Sequence, residues 1–568
     1  MSTSTPFAAR TTVLVLLTSL AACGGGLYPA PGGTGDSTPP PTASAPTLTL
    51  TPQSAKTLRF SWVDVTGETE YRLLEDPDGS SGYTQVATPA ADTTTHDHKV
   101  FLPDRVNARY ILQACRAGTC LDSAPVSVSG NLTQAIGFGK ADAPASDDAF
   151  GYSVAMSDDG GTLAVGALGE DSDRGGVQEI EAADAGVSEN SGAVYVFTRE
   201  GQGWRQQAFL KDASPTPVAE FGHSLVLDAD GDVLAVGVPG AGQGAVQVFR
   251  RQAGHWAPWQ RLVPSDAGGR FGEALALSAR GDVLVAGHAL SATQAGGTAK
   301  VFTHDGTLWM ERATLRSAAP DNDDNFGTSV AIDGEGRTIA VGAPDDNATT
   351  LYGGAVHVFT GSGAAWGTPQ RLVAPAEEAG LGFGYRVALS RDGLTLAIGT
   401  AYDGSAATGI DGDPRLGGAP GSGAVHVFAR PVDASPWLHQ AYLKASNTDQ
   451  DDAFGRQGLA LSAQGDILAV GAPYERSRAD GLNGDQAHNG LSDVGAVYVF
   501  RRQGTAWRQQ AYVKASNSGN DDQFGWGLAL AAQGHTLAVG APGEGSSGGG
   551  WQPAQDNASE RAGAVYLY

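Results

Sequence analysis

The chain has 568 residues, 80 of them glycine and 29 proline, and a formal net charge of −25. This length suits several ordinary domains or one large repeat domain with additions. The many turn formers, and no sustained 3.6-residue apolar period beyond the N-terminus, exclude a helical protein and predict an all-β one. Phosphate-backbone binding needs clustered Lys and Arg, so the acidic balance excludes a nucleic-acid partner and fits cations, basic partners or simple solubility.

At the N-terminus, Arg10 precedes the apolar run Val13 to Leu20, which leads into Ala21-Ala22-Cys23. A charged start, a short apolar core and small residues before a cleavage point read as a secretory signal over residues 1–22. The Leu-Ala-Ala-Cys form resembles a bacterial lipobox. That resemblance implies that Cys23 carries the lipid and that the membrane is met through this anchor alone. With Gly24 next rather than Asp, it also implies an outer-membrane or cell-surface location. The rival reading is an ordinary signal peptide with an incidental cysteine. Residues 23–45 are rich in Gly, Pro, Ser and Thr, cannot bury a core, and read as a flexible tether.

Residues 46–130 read as a small β-sandwich, with alternating runs at Leu58–Trp62 and Tyr71–Leu74 and a further strand at Tyr110–Cys115. Export makes Cys115 and Cys120, which flank Arg-Ala-Gly-Thr, a candidate disulfide across a hairpin turn. Their spacing is not that of a Cys-x-x-Cys redox motif. The order Trp62, Tyr71 and Tyr110 ahead of a Gly-bearing hairpin resembles a fibronectin type III domain, expected here to act as a spacer.

Residues 131–568 repeat a phrase. Phe-Gly recurs at Phe150, Phe221, Phe271, Phe326, Phe383, Phe454 and Phe524, at intervals of 50 to 71 residues. Each copy is followed by a Gly-Ala-Val-Tyr-Val-Phe type segment, beginning at Gly192, Gly244, Gly297, Gly354, Gly423, Gly495 and Gly563. Repetition on this scale means a propeller, solenoid or array. Each unit parses into four strands, and four-stranded antiparallel units repeated radially are propeller blades. Trp204, Trp256, Trp309, Trp366, Trp437 and Trp507 stand once per unit ahead of the fourth strand, as packing elements.

Unit seven ends at Tyr568 without its fourth strand. Lys140 precedes Phe150 by ten residues, as Lys211, Lys444 and Lys514 precede Phe221, Phe454 and Phe524. The segment Gln134–Lys140 therefore belongs to the fourth-strand class and is expected to complete unit seven, closing two open sheet edges. The expected fold is a seven-bladed β-propeller, its last blade closed by an N-terminal strand, preceded by the sandwich.

These units resemble the FG-GAP repeats that build the N-terminal β-propeller of integrin α subunits and many bacterial surface proteins. The resemblance covers residues 131–568 and implies adhesion or ligand binding. The family often carries a calcium loop of Asp-x-Asp-x-Asp-Gly type between the first and second strands. Here that connection is short, and even Asp228, Asp230 and Asp232 run straight into Val233-Leu234. The family's calcium sites are not carried over.

In an up-and-down meander, the connections leading into a sheet and those between its second and third strands share one face. Both are acidic here. Asp-Asp pairs precede Phe-Gly at Asp147-Asp148, Asp323-Asp324, Asp451-Asp452 and Asp521-Asp522. The second-to-third connections are long in units one, five, six and seven. They hold Glu170, Asp171 and Asp173; Asp403, Asp411 and Asp413; Glu475, Asp480 and Asp485; and Glu544, Asp556 and Glu560. Calcium takes six to eight oxygens on flexible backbone, which makes Asp171, Asp173, Asp403, Asp411, Asp413, Glu475, Asp480 and Asp485 candidate ligands. Turn formation by Asp and Asn is the alternative.

Arg280-Gly281-Asp282 lies in a two-strand turn on the opposite face, and the eleven histidines form no zinc pattern. No Gly-x-Ser-x-Gly elbow stands in a strand–helix context. The sequence points to a monomeric surface module that binds a protein or glycan through its acidic long-loop face, with Ca2+ as the candidate cofactor. Two readings stay open: a polysaccharide lyase or hydrolase with its site in the central channel, marked by clustered groups of shifted pKa, and a scaffold subunit of an envelope complex.

Overall fold

A computed structural model of the chain describes residues 44–128, 132–179, 187–201, 203–266, 268–291, 296–321, 323–347, 351–376, 380–433 and 435–568. The signal, Cys23 and almost all of the tether lie outside the described residues. Among the described residues there is no α-helix, and no helix long and apolar enough to cross a membrane.

Each Phe-Gly copy opens an antiparallel sheet of four principal strands, paired in chain order. In unit six, Leu459–Leu461, Ile467–Ala472, Ala496–Gln503 and Ala506–Val513 lie side by side. In six of the seven units the second strand is buried along its whole length, as in Thr338–Ala343 and Ile467–Ala472. A strand covered on both faces reads as a continuous apolar run rather than an alternating one, and the small Ala and Gly positions of Leu-Ala-Val-Gly-Ala let neighbouring sheets stack closely.

The repeated glycines follow from how one unit meets the next. Gly495 opens the third strand of unit six and pairs in parallel with Phe524 of unit seven. Its φ is +87°, and a Cβ there would lie 2.1 Å from the Phe524 carbonyl oxygen. At Gly525, with φ +96°, a Cβ would lie 2.7 Å from the Ala496 carbonyl oxygen. Both conformations and both approaches require glycine. The phenylalanine then points inward: Phe524 is fully buried, with Tyr566 at 5.4 Å between ring centroids. Phe454 with Tyr498 and Phe150 with Tyr195 repeat this arrangement.

The strand Gly137–Gly139 pairs with Ala564–Leu567 as the fourth strand of unit seven, with Phe138 opposite Tyr566. Phe150, at the start of unit one, bridges in parallel to Gly563 of unit seven. The first and last units are thus joined by main-chain pairing.

Two further sheets form the N-terminal sandwich. One contains Leu48–Gln53, Thr57–Trp62 and Thr95–Lys99, and the other is built on Glu70–Asp76 and Arg109–Arg116. Cys115 and Cys120 face each other across a hairpin and are bonded. Trp62 packs on Tyr71, and Phe60 on Tyr110. The sandwich does not stand apart as a separate bead. Its core is continuous with that of units six and seven, from Phe60 and Leu102 to Phe138, Val513 and Tyr566. Lys56 N donates to the Ala135 carbonyl at 2.7 Å, and Arg501 reaches Asp104 at 2.6 Å.

Candidate functional site

The long-loop face is assembled by contacts between successive units. Asp147 N donates to Glu560 O, Asp451 N to Pro420 O and Asp521 N to Ser492 O, so these three Asp-Asp segments rest on the second-to-third connection of the preceding unit. The second Asp of each pair is buried, and its carboxylate accepts a backbone N–H three residues earlier: Asp148 from Ala145, Asp324 from Asp321, Asp452 from Asp449 and Asp522 from Gly519. Burial pushes the Asp452 carboxyl up to about 8 and that of Asp522 to about 7. These acids hold loops.

The long connections begin with a buried ion pair. Lys514 meets Glu475 at 2.8 Å, Lys444 meets Asp403 at 3.0 Å, Lys140 meets Glu544 at 2.5 Å, and Lys211 pairs with Glu170. In each case the residue two positions after the acid is a serine whose backbone N–H donates to the same carboxylate: Ser477, Ser405, Ser546 and Ser172. Glu475 also accepts from Tyr512 Oη and Asn447 Nδ2. The lysines were legible only as register marks. The acid-x-Ser signal, present in the four long-loop units, was missed.

The remaining candidate metal ligands are scattered over the same face. Asp411 accepts from Tyr442 N, Asp413 from Arg415 N, Asp480 from Ser518 N and Asp171 from Asn190 N. Asp485 accepts from Ala487 N and pairs with His488, contacts that hold its carboxyl below the usual range. Asp173 is exposed. Among the described residues, three carboxylates converge at Asp64, Glu68 and Asp92 in the sandwich, not in these loops. With Asp403 and Glu475 neutralised by ammonium groups and Asp171, Asp411, Asp413, Asp480 and Asp485 bonded to backbone N–H groups, the loop carboxylates among the described residues do not converge as a calcium cage.

The short turns on the other face behave as turns. Asp228 Oδ1 accepts from Asp232 N and Val233 N, and Ser278 Oγ and Ser462 Oγ do the same in units three and six. In Arg280-Gly281-Asp282, Asp282 is bonded to Ser278 and Arg280 reaches Glu335. His357, on the third strand of unit four, meets the buried Asp346 of the connection before it, and His426 meets His439 across the third and fourth strands of unit five. Trp256 Nε1 and Trp507 Nε1 donate to Gln207 and Gln440 of the preceding units, which fits their packing role.

The axis of the repeat region holds a cavity of about 190 Å³ lined by the first-strand segments of all the units. The residue directly after Phe-Gly is Tyr152, His223, Glu273, Thr328, Tyr385, Arg456 or Trp526. Four of these positions, Tyr152, His223, Glu273 and Trp526, line the cavity together with Arg386 and Gln457. Tyr152 packs between Trp526 and His223, with centroids at 5.5 and 5.4 Å. Arg456 lies over the rings of Tyr385 and Tyr402 at 5.4 and 5.3 Å. Tyr402 is 46% exposed and belongs to the long connection of unit five, so this cluster opens on the long-loop face. Arg270 bonds Glu220 at 3.0 Å and approaches His223 at 3.4 Å. Burial pushes the His223 imidazole down to about 4, so it is neutral at physiological pH. The position that varies right after an otherwise repeated dipeptide was the signal that could have identified this cluster.

Residues 309–359 and 507–568 match the FG-GAP repeat family. The curated proteins include no significant match to the chain. Solved structures similar to it include a putative 6-phosphogluconolactonase from Bacteroides uniformis, at 11% identity over 79% of this chain and 98% of that one, TM-score 0.41. The WD40 repeats of RRP9 align at 11% identity over 75% and 99%, TM-score 0.43. TolB from Acinetobacter baumannii aligns at 9% over 73% and 77%, TM-score 0.33. The chain carries FG-GAP repeats on an all-β, propeller-type fold.

Proposed function

We propose that the protein is an exported binding module: a lipid-anchored tether, a fibronectin type III-like sandwich, and a closed seven-bladed ring that takes a protein or glycan ligand over its axial mouth. The observation that carries this reading is the cluster Tyr152, Trp526, Tyr385, Tyr402 and Arg456, where aromatic faces and guanidinium donors gather on the long-loop side. Aromatic rings with adjacent hydrogen-bonding groups suit sugar rings and peptide side chains alike. Exposed Val187, Leu351, Tyr352 and Leu416 add apolar contact on the surrounding connections. The pairing of Gly137–Gly139 with unit seven supports the closed ring, and the alternating two-sheet arrangement supports the sandwich assignment.

The test is a glycan and surface-protein binding screen with the full-length chain, followed by Trp526→Ala and Tyr402→Ala. Loss of binding in both, with the melting temperature of Tyr402→Ala unchanged, supports the reading. A ligand held equally well by both variants sinks it.

A second reading rests on His223. A neutral imidazole 3.5 Å from the Tyr152 hydroxyl, with Arg270 and Arg386 nearby, offers a base and cationic groups that a base-assisted cleavage of an anionic polysaccharide could use. Formation of unsaturated sugar ends that disappears in His223→Gln would favour it. Tight binding without turnover would favour the module.

A further inference from the structure

A second cavity, larger than the axial one, lies between the sandwich and units six, seven and one, with a volume of about 820 Å³. In a chain of net charge −25 its lining is cationic, with six Lys and Arg against four Asp and Glu. The acids are already engaged. Glu75 is held by Arg105, His98 and Tyr110, Asp104 by Arg501, Asp78 by Ser80 and Ser81, and Asp159 by Ser157 and Gly161. Among the described residues, Lys56, Lys99, Arg199 and Arg508 have no carboxylate at ion-pair distance.

Lys56 stands out by internal comparison. Lys140, Lys211, Lys444 and Lys514 are each buried against a carboxylate. Lys56 is only 8% exposed, yet its ammonium donates solely to neutral oxygens, the His535 carbonyl at 2.6 Å and the Thr536 hydroxyl. Lys99, Arg199 and Thr536 line the same small void beside it. Burial and the like charges of Arg199 and Lys99 push its pKa down to about 7. Buried charges in folded proteins are ordinarily paired, and this one lacks its partner. The residue also sits at φ +64° in a turn where Ala55 is at +57°, a pair of left-handed non-glycine conformations kept in place by the bond from Lys56 N to Ala135 O.

We propose that this cleft is an anion site whose ligand carries a phosphate group, seated between the Lys56 ammonium on the floor and Arg199 and Lys99 at the rim. Donors that approach from the floor and from both sides favour a tetrahedral group with three acceptor oxygens and up to two charges over a planar carboxylate with one. Pro77, Val86 and Phe101 along the same wall give the rest of the ligand an apolar surface. A soluble phosphorylated compound and the headgroup of an anionic phospholipid share this chemistry.

The test uses the full-length chain at low ionic strength, with inorganic pyrophosphate as the soluble probe, acetate as the carboxylate control, and phosphatidylglycerol vesicles against phosphatidylcholine vesicles as the lipid arm. Saturable pyrophosphate binding that raises the melting temperature is expected, because a ligand of the folded state stabilises it. Arg199→Gln, at an exposed rim position, should weaken it by roughly tenfold through loss of a charged hydrogen bond. Lys56→Met should melt above the wild type without ligand and no longer respond to pyrophosphate. If Lys56→Met fails to fold, Arg199→Gln decides. Binding to phosphatidylglycerol vesicles that Arg199→Gln loses assigns the phosphate to a lipid headgroup, and a response to pyrophosphate alone assigns it to a soluble compound. No response in either arm, equal responses to acetate and pyrophosphate, or an unchanged response in Arg199→Gln overturns the proposal.

Discussion

Replacing Lys514 by Met should destabilise the protein far more than replacing Lys514 and Glu475 together. The Lys514 ammonium and the Glu475 carboxylate meet at 2.8 Å with side-chain exposures of 0% and 1%. Truncating only the lysine leaves a carboxylate buried with neutral donors from Tyr512, Asn447 and Ser477, and breaking a buried pair from one side costs about 3–5 kcal/mol. Unfolding entropy of roughly 2.1 cal/mol/K per residue, over the 524 residues from Ala45 to Tyr568, is about 1.1 kcal/mol/K. The single variant should therefore melt roughly 3–5 °C below the wild type. In Lys514→Met with Glu475→Gln no buried charge remains and the donors keep an acceptor, so most of the loss should return. The assay is thermal unfolding followed by tryptophan fluorescence on the four proteins of the double-mutant cycle. Losses that simply add, with a coupling under about 0.5 kcal/mol, would refute the idea that the pair acts as a unit.

Other expectations follow from the same geometry. Phe138→Ala empties a buried site beside Tyr566 in the closing strand; it should cost about 3–5 kcal/mol and raise aggregation on heating, read by light scattering, as the edge of unit seven opens. Asp452 and Asp522 keep protons in the folded state that the unfolded chain releases near pH 4, so their contribution to stability is complete at low pH and declines as pH rises towards about 8 and 7. Asp452→Asn with Asp522→Asn should flatten that decline in melts recorded between pH 5 and 8.5. Chelator followed by calcium should leave the melting temperature unchanged, and a saturable calcium-dependent rise would restore the loop carboxylates as ligands. Reduction of Cys115–Cys120, which closes a loop of only a few residues, should cost about 2 kcal/mol.

What could be read from the sequence was whatever depends on local period and on main-chain reach. Phe-Gly and the Gly of Gly-Ala-Val mark where two backbones touch, and a close approach admits few residues, so those positions recur visibly at Gly495 and Gly525. The role of Gln134–Lys140 could be read because Lys140 keeps the ten-residue spacing of its counterparts. Side-chain partners across the fold could not. Glu475 and Asp403 look like loop carboxylates in sequence, and only the fold shows a lysine 39 or 41 residues away against each. The cationic cleft was hidden for the same reason: Lys56, Arg199 and Arg508 lie far apart in a chain whose summed charge points the other way.

The seven units are also a comparison within one molecule, and they explain where the long loops are allowed. The residue following the fourth-strand position that pairs with the third strand is Lys in units one, five, six and seven, but Val263, Arg316 and Val373 in units two, three and four. The four lysine units are the ones with long second-to-third connections and an acid-x-Ser start. A long loop leaves backbone groups that must find partners, and anchoring its first residues by an ion pair and a serine N–H fixes its base while the tip stays free to vary. Moving the lysine alone into unit two, as Val263→Lys, should therefore yield an exposed, unpaired side chain with no gain in stability. A stabilised variant would mean that the lysine works without its acid, and that the loops owe their placement to something else.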